Sequence, residues 1–231
     1  MKNKLKLSTD VIKHEKNWKK RLRFILLLIL LLFLALYMVI GIIYNSGSFS
    51  ITLDKNLYFD KGLIIYGDPE YKVYRSELLA QSPESFDNVS EYWIPDDIDD
   101  LGGGSHNGEN YLAYTFYVEN MGNMVANYWS DVVIKDVIKN VDDAVRVRIY
   151  RNGEPVTYAK LAANGQPEPD TVAFESDNIV ARSFVENFMP GDIDRYTILL
   201  WLEGNDPECT DNILGGEFKI EMNFNSEHVD Y

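Results

Sequence analysis

Residues 145–159 read VRVRIYRNGEPVTYA and predict a β-hairpin. Apolar and basic side chains alternate from Val145 to Tyr150, which indicates a strand with one buried face and one face in water. The dipeptide Asn152-Gly153 follows, and it is favoured in two-residue hairpin turns because both of its positions adopt positive φ. Residues 156–159 then predict the returning strand. The chain therefore contains a β-domain around this hairpin.

Further strands are predicted on both sides of the hairpin. Residues 111–118, YLAYTFYV, are rich in aromatic side chains, and residues 196–202, YTILLWL, predict a central strand buried on both faces. Shorter strands are predicted at residues 50–53, 57–59, 63–66, 71–74, 128–134 and 218–224. Eight to ten strands with few helices predict an all-β fold, a jelly-roll-like antiparallel sandwich formed by one domain.

Residues 24–43, FILLLILLLFLALYMVIGII, carry no charge and are long enough to cross the ~30 Å hydrocarbon core of a membrane as a helix. Nine Lys or Arg residues precede this run, and none follows it before Lys55. The positive-inside rule then predicts a cytoplasmic tail at residues 1–23, a transmembrane helix at 24–44 and an extracytoplasmic domain at 45–231. A cleaved signal peptide is the alternative, but the apolar run is longer than an ordinary signal and favours a retained anchor.

The exported part is strongly acidic. From residue 45 onward it has 13 basic and 34 acidic residues, a net charge of −21. Such a domain repels phosphates, so no nucleic-acid binding is expected, and divalent cations, cationic polymers or basic protein surfaces are favoured instead. The sequence has no HExxH, GxSxG, P-loop or dinucleotide-binding motif, and we expect a protein that is not an enzyme.

Cys209 is the only cysteine, so no intramolecular disulfide can form. This composition is more typical of an exported bacterial protein than of a secreted eukaryotic domain. We expect Cys209 to be a packing residue, with an intermolecular disulfide or a thiol nucleophile as alternatives.

Two acidic segments are candidate calcium sites, because Ca²⁺ prefers oxygen ligands. The first lies in residues 96–100 and does not match an EF-hand loop, and a solvated acidic loop is its alternative. The second lies in residues 203–211, directly after the buried strand, and its alternative is a loop capped at the start of a short helix. The candidate ligands are Asp96, Asp97, Asp99, Asp100, Asp206 and Glu208. No cofactor other than calcium is suggested.

Residues 76–109 lack regular periodicity and predict a long loop of the kind that is often either a binding loop or mobile. Tyr92 and Trp93 lie in this loop beside Pro95. They are candidates for contacting a glycan or a protein, and a packed lid over the sandwich edge is the alternative.

Residues 114–122 (YTFYVENMG) and 141–147 (VDDAVRV) resemble segments of the camelysin/TasA-type proteins of Gram-positive bacteria. Residues 190–209 (PGDIDRYTILLWLEGNDPEC) are similar to a segment of exported proteins of Clostridia-like bacteria. The likeness covers about residues 110–224 and implies a jelly-roll domain with a surface or biofilm-matrix role. Two features depart from the family: this chain can stay anchored, and it lacks the histidine pair of a zinc protease.

Three functions follow from these patterns. The leading hypothesis is a membrane-anchored interaction protein of the bacterial cell surface, which binds an envelope, matrix or protein partner. The second is a matrix or fibre subunit that self-associates after release by signal peptidase. The third is a carboxylate- or metal-dependent hydrolase.

Overall fold

The computed structural model describes residues 6–44, 49–81, 83 and 87–231, and the chain divides into two compact units, Met1–Ser46 and Gly47–Tyr231. The first unit contains helix α1, Lys6–Tyr44. Its segment Lys20–Val39 has a mean hydropathy of 2.8 with none of it buried, and is the one span in the described residues that could cross a membrane. Because it lies near the N-terminus, it fits a membrane anchor or a signal sequence.

The second unit has twelve strands in its described residues, arranged in two sheets. The strands are β1 (Phe49–Leu53), β2 (Leu63–Tyr66), β3 (Glu77–Ala80), β4 (Gly104–Ser105), β5 (Tyr111–Asn120), β6 (Ala126–Ile138), β7 (Val145–Arg151), β8 (Glu154–Ala159), β9 (Val172–Ala173), β10 (Ile179–Phe188), β11 (Ile193–Leu202) and β12 (Glu217–Asn225). Sheet A has the order β10-β6-β12-β1-β3, and sheet B has the order β2-β5-β11-β7-β8-β9, with β4 paired to β5.

The two sheets form the predicted jelly-roll-like sandwich. After β3 in sheet A, the chain passes to β5 in sheet B, to β6 in sheet A, to β7 and β8 in sheet B, and then to β10, β11 and β12 in alternating sheets. This alternation between two facing sheets is jelly-roll connectivity. β1, β2, β4 and β9 are additions to that framework.

Aromatic side chains hold the two inner faces together. Phe116 on β5 stacks on Tyr196 of β11 at 5.4 Å between ring centroids. Phe224, on β12 of the other sheet, meets both rings edge-on at 5.9 and 5.5 Å. All three side chains are at most 1% exposed. Edge-to-face pairs of this kind add to the apolar burial that stabilises the core.

Most strand pairs are antiparallel, as predicted, but two are parallel. β8 pairs in parallel with the short β9, and β1 pairs in parallel with β12 over Phe49–Leu53. β1 also pairs antiparallel with β3, so it lies inside sheet A. The first and last strands of the domain are therefore neighbours.

The local predictions were wrong in two places. Residues 57–59 were expected to form a strand, but Leu57–Lys61 is a π-helical turn that ends at Gly62, where φ is +75°. Residues 71–74 were expected to form a strand, yet the strand forms later, at Glu77–Ala80. In both segments the aromatic residues that suggested strands, such as Phe59 and Tyr71, are exposed and pack into no sheet.

Candidate interaction site

The long loop between β3 and β5 covers the outer face of sheet B, the face turned away from sheet A. Ile94 and Ile98 from this loop are 7% and 0% exposed. They belong to a second hydrophobic cluster, separate from the main core. The strand residues of that cluster are Ala113, Tyr150, Leu199 and Trp201. This explains why β11 is buried on both faces, as predicted: its alternate residues face the main core and this second cluster.

Main-chain and side-chain hydrogen bonds fix residues 89–91 of the loop. The Val89 N–H donates to the Leu202 carbonyl at 2.9 Å, and the Gly204 N–H donates to the Val89 carbonyl at 3.2 Å. The Glu203 carboxylate accepts from the Glu91 N–H and from the Trp201 indole, each at 3.0 Å. These hydrogen bonds join the loop to the end of β11, directly before the turn that carries Tyr92 and Trp93.

Arg148 of β7 also connects this turn to sheet B. Its guanidinium pairs with the Glu91 carboxylate, donates to the Thr157 hydroxyl at 2.8 Å, and lies 5.2 Å from the Trp201 ring centroid. Burial opposes its charge, but the hydrogen bond to Glu91 raises the pKa of Arg148 above its ordinary value. The alternation in β7 had suggested a wet outer face, and this was wrong, since the loop and its partners cover that face.

Tyr92 and Trp93 project from this fixed turn into solvent. They lie in the 3₁₀ turn Glu91–Trp93 and are 91% and 82% exposed, the two highest values among the large hydrophobic side chains described. The next residue, Ile94, is buried in the second cluster. Ile94 and Ile98 thus pack the loop onto sheet B, whereas Tyr92 and Trp93 form no packed lid over the sandwich edge, and their contact with a glycan or a protein stays a prediction.

The four aspartates at residues 96–100 do not converge on one point. Asp99 is 8% exposed and pairs with the Arg195 guanidinium. Its other oxygen, Oδ1, is buried with no hydrogen-bond partner among the residues described. Asp96, Asp97 and Asp100 are exposed. Within the described part of the chain, no group of metal-ligand spacing includes any of the four.

Asp206 and Glu208, in contrast, lie together. Their carboxylates form a cluster with Glu168 in which the candidate ligand oxygens lie within 4.8 Å of one another. The Asp206 carboxylate also accepts a hydrogen bond from the Glu208 N–H at 2.8 Å, which forms a tight turn within the loop. Glu168 was not predicted: it lies in a Pro- and Gly-rich loop about 40 residues earlier, and no local pattern marks it.

Arg146 lies inside this acidic cluster. Its guanidinium is 2.5 Å from the Asp206 carboxylate and 3.4 Å from the Glu168 carboxylate, and all three residues are buried. Burial, then the neighbouring carboxylate of Asp206, raises the pKa of Glu168. Burial also raises the pKa of Asp206, with the nearby Glu208 adding to the effect. A calcium ion bound here would compete with Arg146, and calcium binding remains a prediction.

Cys209 is half-buried and packs against the main core. Burial raises the pKa of its thiol, and the carboxylates of Asp206 and Glu203 raise it further. A thiol with a raised pKa is a weak nucleophile at neutral pH, because little thiolate is present. Its surroundings match the predicted packing role better than a catalytic one.

No protein-family model matches the chain, and no curated protein matches it. The β-glucosidase of Kluyveromyces marxianus in complex with glucose is similar over 73% of this chain and 15% of its own, with 10% identity and a TM-score of 0.25. AvmM, which catalyses macrocyclization in alchivemycin A biosynthesis, is similar over 53% of this chain and 83% of its own, with 10% identity and a TM-score of 0.22. This chain thus spans about a sixth of the glucosidase, and such low TM-scores identify neither family nor function.

Proposed function

We propose that this protein is a membrane-anchored interaction protein of the bacterial cell surface, which binds an envelope, matrix or protein partner and is not an enzyme. The observation that carries the proposal is the turn at Glu91–Trp93, where two aromatic side chains are held almost fully in solvent on a loop packed against sheet B. Tryptophan and tyrosine are enriched among the residues that contribute most to binding at protein interfaces, so an adjacent exposed pair of them is a candidate contact.

Rigid attachment strengthens this interpretation. A main-chain segment that is ordered before binding loses less conformational entropy when a partner arrives. Buried Ile94, directly after the pair, and the Glu203 carboxylate, which accepts the Glu91 N–H, hold the turn in place. The turn can therefore present Tyr92 and Trp93 without a folding step.

The location rests on helix α1 and on the charge pattern at its ends. The span Lys20–Val39 supports membrane anchoring. Nine basic residues before residue 24 support an orientation with the tail in the cytoplasm and the β-sandwich outside. The resemblance to camelysin/TasA-type proteins supports the same surface location.

The orientation is tested by cysteine labelling in a Cys209→Ala background. We expect a membrane-impermeant maleimide to label Asn164→Cys, in an exposed loop, on intact cells. Ser8→Cys, in the basic tail, should be labelled only after permeabilisation. Labelling of Ser8→Cys on intact cells would show that the N-terminal tail lies outside the cell, and the surface proposal would then be wrong.

The interaction is tested in a co-sedimentation assay with full-length protein in phosphatidylcholine nanodiscs and a cell-wall preparation that retains its attached proteins. We expect the protein to sediment with the wall and Trp93→Ala to reduce the bound fraction at least about threefold, because one large aromatic contact is lost. Phe59→Ala is the matched control, since Phe59 is 75% exposed at another site of the domain. Equal binding by wild type and Trp93→Ala would show that the turn is not the binding site.

A further inference from the structure

We propose that the partner of the Tyr92–Trp93 turn is a protein segment rich in lysine and arginine. This inference rests on the proposed function and names the chemistry that the same site recognises. It follows from two properties of the turn, the open faces of its rings and the charge of the loop around them.

The ring faces are available. Within the described residues, the side chains of Tyr92 and Trp93 make no hydrogen bond, ring contact or cation–π contact, and the Trp93 main-chain N–H donates to the Ser90 carbonyl within the turn. The other cation–π contacts of the domain, such as that of Arg148 over Trp201, are already made inside the fold. Tyrosine and tryptophan faces attract cations through the ring quadrupole, and tryptophan does so most strongly.

The surrounding loop is acidic and has no basic residue. Residues 87–109 contain seven acids and neither lysine nor arginine. Two of the acids, Glu91 and Asp99, are paired with arginines of sheet B. The other five are exposed and have no ion pair in the described structure. These five are Asp87, Asp96, Asp97, Asp100 and Glu109. Excess negative charge thus lies in the same loop as the aromatic pair.

Together these features fit a cationic partner and disfavour the other classes. A phosphate-rich polymer would be repelled by the loop. A neutral glycan could stack on the rings but would gain nothing from the carboxylates. A lysine or arginine side chain gains from both, since its cation can sit on a ring face while the carboxylates attract the segment over a longer range.

The test uses the full-length protein in phosphatidylcholine nanodiscs and a fluorescein-labelled dodecapeptide of alternating arginine and serine. Fluorescence anisotropy should show binding that weakens as NaCl rises. Trp93→Ala and Trp93→Leu should each weaken binding about three- to fivefold, the size of an exposed cation–π contact. Because leucine keeps apolar surface but has no ring, wild-type binding by Trp93→Leu would overturn the cation–π contact.

Charge is tested by a matched pair of triple variants. Asp96→Asn/Asp97→Asn/Asp100→Asn removes three charges beside the turn, and Asp170→Asn/Asp177→Asn/Glu186→Gln removes three exposed charges elsewhere. We expect the first variant to weaken peptide binding at least about threefold more than the second at low salt. Equal losses would show non-specific attraction to an acidic protein and would overturn the inference.

A neutral oligosaccharide, chitohexaose, distinguishes failure of the cationic-partner proposal from failure of the proposed interaction function. Trp93-dependent binding of chitohexaose without peptide binding would overturn the cationic partner and leave the interaction function intact. If the cell wall, the peptide and chitohexaose all bind independently of Trp93, both proposals are wrong.

Discussion

At the scale of single residues, Arg146 shows how this acidic domain tolerates buried carboxylates. It pairs with both Asp206 and Glu168, and the Glu208 carboxylate lies in the same cluster, so one arginine serves two buried acids beside a third. A buried charge pair is stabilising only when its partners compensate the lost hydration. Here the compensation is incomplete, and the pKa values of Glu168 and Asp206 are raised as a result.

Because the pKa of Glu168 is higher in the folded than in the unfolded state, the folded protein takes up its proton more readily. Protonation of Glu168 therefore adds to the free energy of unfolding as the pH falls toward the pKa of the unfolded chain, about 4.3. This contribution is lost as the pH rises through the pKa of the folded protein. Glu168→Gln mimics the protonated form. We expect the difference in free energy of unfolding between this variant and wild type to grow in favour of the variant from pH 5 to pH 7.5. Urea unfolding in detergent micelles measures it.

The control for this change is Glu154→Gln, because Glu154 is an exposed acid on β8. Its difference from wild type should stay constant over the same pH range. A Glu168→Gln difference that shrinks as the pH rises would contradict the sign of the pKa shift.

Asp194 is a second residue on which many contacts depend. Its carboxylate accepts from Tyr128 across the sandwich, from Arg151 at 2.8 Å and from Asn152 at 2.6 Å, and Asp194 itself is 5% exposed. Burial raises the pKa of the neighbouring Tyr196 to about 12, so this phenol stays neutral and can serve only as a hydrogen-bonding group at ordinary pH. The cluster links sheet A to sheet B through charge and hydrogen bonds.

Asp194→Ala should lower the free energy of unfolding by about 3 kcal/mol, because it leaves the Tyr128 hydroxyl and the Arg151 guanidinium without their acceptor. Urea unfolding followed by near-ultraviolet circular dichroism measures the loss. Asp177→Ala, at an exposed acid, should change the same free energy by less than about 0.5 kcal/mol. Similar values for the two variants would show that the buried network contributes no stability.

At the scale of elements, local sequence predicts structure where periodicity and turn chemistry agree. The hairpin at residues 145–159 forms as β7 and β8, with positive φ at both Asn152 and Gly153. The run at residues 196–202 forms the central part of β11. The turn at Leu57–Lys61 was missed because its aromatic residues resemble those of a strand and only tertiary packing leaves them outside.

Two loops approach each other closely at Gly122 and Lys61. A Cβ atom placed on Gly122 would lie 2.0 Å from the Lys61 carbonyl oxygen, a contact that the backbone must move to relieve. We expect Gly122→Ala to lower the free energy of unfolding by about 1–3 kcal/mol, the usual cost of overpacking. Urea unfolding of the purified variant measures it.

Gly102→Ala is the matched control for this substitution, because a Cβ atom there meets nothing within 4 Å. It should leave the midpoint of unfolding almost unchanged. If both variants unfold at the wild-type urea concentration, the two loops are not in the close contact described.

At the scale of the whole molecule, the sequence predicts the anchoring helix and the type of fold but not how the site is assembled. Tyr92 and Trp93 can be named from the sequence, yet the position of their turn depends on Ile94 and Ile98, which pack on a sheet face whose residues are spread from Ala113 to Trp201. Glu168 joins Asp206 only through the tertiary fold. Such contacts between distant residues leave no periodic signal along the chain.

The chain-level prediction concerns the fate of helix α1. Because its apolar run is longer than an ordinary signal sequence, we expect the protein to remain in the membrane pellet after carbonate extraction with residues 1–23 intact. Mass spectrometry of N-terminal peptides from cells measures this. A mature chain that begins near residue 49 would contradict it and would favour a released matrix subunit.

The position of β1 bears on how the domain would respond to mechanical force. β1 lies in sheet A between β12 on one side and β3 on the other. A force directed along β1 would therefore strain the hydrogen bonds to both neighbours together rather than break them one by one. A strand at the edge of the sheet could be peeled away at far lower force. Because β1 is held on both sides, its separation from sheet A requires both sets of hydrogen bonds to break.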